Sequence, residues 1–358
     1  MQDTKYNKSL AVISVCAVAV LVVGCFLSFF SPSAETSSTP VNKTVQNTTS
    51  QTFRSLIDTS RPESYDSLLT DMVLLRNEYP HSLKLFTAGY SESGKEILMF
   101  TMGNGKKTAL VIGGIHAREH ISTKYILRVV EDYCFQNEKS SGIYGNFNIK
   151  DLLSEYTLYI IPCANPDGLE IISGRMSPKN NVRVADITEY KANVNGVDLN
   201  RNFPLAWEYI DNGVTSPYTH YFKGYKSSSE SETRTLIKLC EENRFEFMLS
   251  FHIKGNCIFW GDTYNTENNG LYKAFAEDIA KNSGFFLTEP TLKPSDYGGG
   301  FENWFRHTYK KPGVCVELSH YTNTVSPCDN KNYVDFDGFV NFGQSKYAVA
   351  AAMASDNK

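Results

Sequence analysis

A chain of 358 residues has room for one large domain or two ordinary ones, and 41% apolar and 13% aromatic residues are enough for a sizeable core. The formal net charge of -4, with a sequence pI near 6.0, supplies none of the positive field on which nucleic-acid binding rests, so that class of partner is excluded. No internal repeat is present.

The first nine residues carry Lys5 and Lys8 and precede Leu10 to Phe30, an uncharged apolar run close to the ~20 residues a helix needs to cross a bilayer. Lysines on that side favour a cytoplasmic N-terminus and export of the residues beyond Phe30. The expectation is a single-pass anchor over 10–30 in the cell membrane, with the rest of the chain extracytoplasmic. Two alternatives stand beside it. Val22-Val23-Gly24-Cys25 resembles a lipoprotein processing site, which would anchor the chain at Cys25, although the residues after it stay apolar through Phe30; a cleaved signal would leave the chain secreted. Residues 31–52 are rich in Ser, Thr and Pro, too polar to fold, and read as a disordered linker. Asn42 and Asn47 each begin an N-x-[ST] pattern, relevant only where exported proteins are glycosylated.

From Ser64 onward Tyr65, Leu68, Leu69, Met72 and Leu75 recur at helical spacing until Pro80. Ile97–Met102, Thr108–Ile112, Tyr156–Ile161, Phe247–Phe251 and Gly313–Leu318 are short apolar runs of the kind that form strands covered on both faces. Thr123–Phe135, Glu230–Glu242 and Gly270–Ser283 read as helices between them. This alternation predicts an α/β domain with a largely parallel or mixed sheet, and no compositional break after Phe53 divides it. Six of the eight cysteines, Cys134, Cys163, Cys240, Cys257, Cys315 and Cys328, lie in this part; they could form disulfides in an oxidising compartment or serve as buried free thiols.

His116 and Glu119 come directly after the strand-like TALVIGG, so an imidazole and a carboxylate three residues apart can reach one cation. Hydrolytic zinc sites take three protein ligands, often two His and one Glu, and leave a position for water. His252 is the third candidate, again at the end of an apolar run, where α/β proteins place their sites. Glu317 is a carboxylate inside the apolar run Val314-Cys315-Val316-Glu317-Leu318, where an unpartnered charge is costly and a metal, a water or a functional role accounts for it.

These pieces, in this order, resemble the M14 zinc carboxypeptidases. GIHAREHIS resembles the family's zinc motif, Asn165-Pro166-Asp167-Gly168 its NPDG turn, Val197-Asp198-Leu199-Asn200-Arg201-Asn202 its VDxNRN motif, Ser250-Phe251-His252 its third-ligand strand and Val316-Glu317-Leu318 its catalytic strand. The resemblance implies one domain over 53–358 with a mixed, mostly parallel central sheet and helices on both faces. It implies one zinc ion per chain on His116, Glu119 and His252, and Glu317 as general base toward a water activated there. Asp198 would orient His116, Asn200 and Arg201 would grip a substrate's terminal carboxylate, and Arg118 would line the neighbouring subsite. Where animal digestive enzymes carry a carbonyl-polarising arginine, this chain has Lys191; Arg183 and Arg175 are weaker candidates. The substrate-capping tyrosine is not placed: Ser295 aligns there and Tyr297 is nearest. Glu302 falls near the position that reads the terminal side chain, and a carboxylate there points to a cationic group on the substrate.

YKANVNGVDLNRNFP and SFHIKGNCIFWGD are similar to the bacterial γ-D-glutamyl-L-diamino acid peptidases, which trim cell-wall stem peptides. That substrate is the expectation. A general carboxypeptidase acting on exported proteins or peptides is the alternative within the class. An inactive, membrane-tethered peptide-binding module is the alternative outside it, opposed by the presence of all three ligands and Glu317.

Overall fold

The helix expected after Ser64 is capped by its own sequence. In α1 (Tyr65–Glu78) the Ser64 hydroxyl accepts from the Ser67 N–H and the Ser67 hydroxyl accepts from the Ser64 N–H, so two end donors are satisfied reciprocally. Tyr65, Leu68, Met72 and Leu75 form its buried stripe. The computed structural model of the chain describes residues 53–356 except 185, 212, 264–265, 294–297 and 321–325. The expected anchor, the linker, Ser295 and Tyr297 lie outside the described residues. Among the described residues no helix is long and apolar enough to cross a membrane.

After α1 come β1 (Leu83–Tyr90), β2 (Glu96–Gly103), β3 (Lys107–Ile112) and α2 (Ile121–Lys139). A small hairpin, β4 (Ile143–Tyr144) and β5 (Phe147–Asn148), leads to α3 (Ile149–Glu155), β6 (Tyr156–Ile161) and α4 (Pro166–Ile172). A long irregular stretch then reaches α5 (Ser231–Glu242), β7 (Phe245–Gly255), β8 (Cys257–Phe259), α6 (Asn269–Ser283) and β9 (Phe286–Leu287). The chain closes with α7 (Phe301–Tyr309), β10 (Gly313–His320), three four-residue helical turns and α8 (Ala348–Ser355).

One eight-stranded sheet has the order β1-β2-β6-β3-β7-β10-β8-β9. Its centre, β6-β3-β7-β10, is parallel, because helical crossovers separate those strands in the chain. β1 and β2 are joined by a tight turn and pair antiparallel, as do β2 with β6 and β10 with β8. The sheet is therefore mixed, with parallel pairing concentrated in its middle. Period-two alternation divides each central strand between two cores: Ala109 and Val111 face one that also holds residues of α1, α2, α6 and α8, while Leu110 and Ile112 face another with Leu236 of α5 and Phe301, Trp304 and Phe305 of α7. Helices cover both faces. All six cysteines of this part are free, and Cys134, Cys163, Cys240 and Cys257 are buried as small apolar groups.

Candidate metal centre and active site

Close packing at two glycines brings the first ligand loop to the end of the central strands. Gly114 has φ +59, and a Cβ there would meet Thr123 Oγ1 at 2.7 Å and the Cys163 Cα at 3.0 Å. Asn165 clasps the loop, its Nδ2 donating to the carbonyls of Ile115 (3.2 Å) and Ala192 (3.1 Å). Gly168 has to be small as well, since its Cβ would fall 2.7 Å from that of Ala117. The Ala117 and Arg118 N–H groups then donate to the Lys191 and Tyr190 carbonyls at 3.1 and 2.9 Å. The zinc-type motif and the segment holding Lys191 are thus fastened to each other by backbone and by the NPDG turn.

His116, Glu119 and His252 meet with ligand atoms all within 4.8 Å of one another, and all three are buried. His116 Nδ1 lies 2.9 Å from Glu119 Oε1, His252 Nδ1 lies 3.1 Å from Glu119 Oε2, and the two Nδ1 atoms are 3.2 Å apart. Two imidazole nitrogens of the same type and a carboxylate turned to one point fit a zinc ion by number and chemistry. The outward nitrogens face carboxylates: His116 Nε2 is 3.3 Å from Asp198 Oδ1, and His252 Nε2 is 3.2 Å from Glu302 Oε1 and 2.8 Å from Ser250 Oγ. Such partners fix which ring nitrogen is left for the metal.

The charges are strongly coupled. Burial opposes ionisation of Glu119, but His116 and Lys191 outweigh it and hold the carboxyl well below its usual range. Burial likewise opposes a charged His252, yet contact with Glu119 and Glu302 pushes it up to about 10. Glu302, buried but bonded to His252, is lowered to about 2, and Asp198 is held low by His116 against the same cost of burial.

Glu317 pairs in register with His252 across β10 and β7, so its side chain emerges on the same face beside the metal ligands. Burial and the neighbouring Glu119 raise its pKa above the ordinary carboxylate value, and its Oε2 is buried with no hydrogen-bond partner. Lys191 places Nζ 3.5 Å from Glu119 Oε1; burial would discharge it, but Glu119 and Asp198 keep it cationic. Lys191 and Asp198 line a cavity of about 180 Å³ whose far wall is Tyr218, His220 and Tyr221. A larger cleft of about 970 Å³ lies apart from the ligands, between the start of α1, the end of α4 and residues 326–330. Its lining includes His120, next in the chain to Glu119, and Cys328, whose Sγ donates to the Arg118 carbonyl at 3.3 Å.

On the substrate side Asn200 is locked in place, with Oδ1 accepting from the Phe301 N–H at 2.7 Å and Nδ2 donating to Glu302 Oε2 at 3.3 Å. Arg201 comes next in the chain, one guanidinium N–H donating to the Asn200 carbonyl at 2.7 Å. The Arg118 side chain is held by Glu189. Arg175 is elsewhere, paired with Asp66 at 2.6 Å on the surface, and Arg183 is exposed. Of the cationic candidates for the carbonyl, Lys191 is the one at the metal.

A family model described as zinc carboxypeptidase matches residues 68–327. The chain belongs to the M14 zinc carboxypeptidase family. It is 27% identical over 281 residues to the γ-D-glutamyl-L-diamino acid endopeptidase 1 of Lysinibacillus sphaericus, covering 75% of this chain and 69% of that protein. It is 29% identical over 290 residues to the human carboxypeptidase N catalytic chain, covering 74% of this chain and 58% of the relative, so it spans little more than half of that protein's length. Bovine thrombin-activatable fibrinolysis inhibitor, solved with tick carboxypeptidase inhibitor, superposes with a TM-score of 0.65 at 19% identity over 84% of this chain and 98% of that one, a likeness of fold.

Within this zinc carboxypeptidase two features escaped sequence reasoning. Ser250 shares the face of His252 because they are two apart on one strand, a signal available from alternation once β7 is drawn through residue 252. Tyr221 had no such signal: its ring lies 5.7 Å from Lys191 Nζ and 5.6 Å from the Arg201 guanidinium carbon, contributed by an irregular segment far from either motif's strand.

Proposed function

We propose that the chain is a metallocarboxypeptidase that cleaves the amide bond preceding a residue with a free carboxylate, and that its substrate is a cell-wall stem peptide cut between γ-D-glutamate and a diamino acid. The observation that carries the reaction is the placement of Glu317, ionisable and with one buried oxygen unpartnered, beside a buried His116–Glu119–His252 donor set. Bound zinc supplies Lewis acidity, polarising the scissile carbonyl and acidifying water toward a pKa of ~7. Glu317, with its affinity for protons raised, takes the proton from the attacking water and delivers it to the leaving amine. Lys191 meets the negative charge that grows on the carbonyl oxygen, while Arg201 and Asn200 hold the terminal carboxylate and Arg118 borders the subsite beyond.

The substrate reading is supported by the Lysinibacillus sphaericus relative, whose name states the bond it cuts. A diamino acid leaving group brings a carboxylate for Arg201 and Asn200. An anchor over residues 10–30 would hold the enzyme beside the wall. The likeness to the carboxypeptidase N chain favours the second reading, a general carboxypeptidase on exported proteins or peptides.

The deciding experiment is hydrolysis by the full chain in detergent, with zinc and after chelation, of L-Ala-γ-D-Glu-meso-diaminopimelate beside ordinary peptides, with Glu317→Gln as control. Zinc-dependent release of diaminopimelate, lost in the Gln variant, is expected. Preference for ordinary peptides would establish the general carboxypeptidase. Zinc binding with no hydrolysis of either would replace both readings with a peptide-binding module.

A further inference from the structure

Two imidazoles turn Nδ1 toward the metal position, and each needs its outward N–H held if the ring is to stay aimed. Behind His116, Asp198 Oδ1 faces Nε2 at 3.3 Å. For His252 two groups face Nε2: Ser250 Oγ on its own strand at 2.8 Å, and a carboxylate from a different element. Glu302, in the first turn of α7, sets Oε1 3.2 Å from His252 Nε2 and is only 3% exposed. Its other oxygen accepts from Asn200 Nδ2 at 3.3 Å, and the neighbouring Phe301 N–H donates to Asn200 Oδ1 at 2.7 Å. One turn of helix therefore grips, through two consecutive residues, both ends of the Asn200 amide and the back of a metal imidazole.

From this geometry we infer that Glu302 is a positioning residue that orients His252 for zinc and couples that ligand to Asn200, the amide placed at the substrate's carboxylate. The inference rests on the zinc carboxypeptidase reading and deepens it. A carboxylate behind a metal-bound imidazole fixes its tautomer and raises its basicity, and loss of such a partner typically costs about 10- to 100-fold in metal affinity or activity. The start of a helix is also a favourable place for a buried anion, because the terminal N–H dipoles point toward it. An open, charge-reading carboxylate at the end of a pocket would have an oxygen facing space. Both oxygens of Glu302 are instead committed to protein groups.

The test is Glu302→Gln in the full chain. Glutamine keeps its one oxygen for Asn200 and turns an amide N–H, a donor, toward His252, so it breaks one link selectively; Glu302→Asp is the second variant should the first misfold, since it keeps the charge and shortens the reach. Zinc affinity is measured by chelator competition, the Co(II) absorption spectrum is recorded, and kcat/KM is compared on a peptide ending in a diamino acid and one ending in a neutral residue. A loss of zinc affinity of about 10-fold or more is expected, with an altered Co(II) spectrum and an equal fall on both peptides. Unchanged zinc affinity, or a fall confined to the diamino peptide, would overturn the inference and return Glu302 to reading the substrate's ammonium. Zinc affinity is read without turnover, so failure of hydrolysis on every peptide would count against the enzymatic reading and leave this one decided by the metal.

Discussion

By resemblance Lys191 stands where the family's digestive members carry an arginine, and the difference is physical. An arginine offers a planar fork, whereas an ammonium is a compact charge with three donors on a flexible stem. Here the stem is steadied by its surroundings: Nζ sits 3.5 Å from Glu119 Oε1, and the Tyr221 ring lies 5.7 Å from it. If Lys191 meets charge that develops on the carbonyl oxygen, Lys191→Met lowers kcat by roughly 100- to 1000-fold, with KM and zinc content little changed. Steady-state kinetics with metal analysis checks this, and a rise in KM at constant kcat would assign Lys191 to ground-state binding instead. The three residues of the candidate metal set were legible in the sequence because two of them lie within one loop and the third ends an apolar run. The tie between Glu302 and His252 was not, since it spans 50 residues and exists only because α7 packs its first turn under β7. Motif position alone pointed Glu302 at the substrate; its contacts add a partner that no spacing rule contains.

At the scale of elements, the apolar central strands and the amphipathic helices were legible because burial on a fixed face imposes a period. β1 was missed because it is an edge strand with most of its residues partly or fully exposed, and β8 and β9 because they are three and two residues long. The start of α5 ties folding to pH. Its first turn buries Glu232, whose carboxylate accepts from Asn193 Nδ2 at 3.3 Å and lies near Glu230, Glu92 and Asp167. Glu230 is compensated by Asn193 and Asn195, each donating at 2.8 Å, and Glu92 by Arg234 at 3.5 Å. Burial, aided by Asp167 and Glu230, pushes the Glu232 carboxyl from the ordinary 4.5 up to about 8. Between those values the folded chain keeps a proton that the unfolded chain has released. This contribution to stability is therefore whole below pH 4.5, declines as pH rises, and is gone above about 8. The slope is at most about 1.4 kcal/mol per pH unit. Glu232→Gln, which mimics the protonated form, is expected to flatten the urea midpoint between pH 5.5 and 8.5; an unchanged slope would mean that Glu232 is ionised throughout.

For the whole molecule, the class of fold was legible from alternating strands and helices, but the strand order was not, because no local pattern records which strands become neighbours. That order puts β3 beside β7 and β7 beside β10, and so brings the loop of His116 and Glu119 to His252 and Glu317. The metal position thus joins segments more than 130 residues apart, His116 to His252, with no disulfide among the six cysteines of the described part to do so. A ligand that binds only the assembled site stabilises it by mass action, about 4 kcal/mol at a thousandfold excess over Kd. Thermal unfolding monitored with and without zinc is expected to show a higher midpoint with the metal, to lose that gain in His252→Ala, and to be indifferent to added reductant. A midpoint that fell in reductant would mean that the thiols pair in the folded protein. A midpoint blind to zinc would mean that the ion does not bind the folded chain in preference to the unfolded one, which would remove His116, Glu119 and His252 as its site.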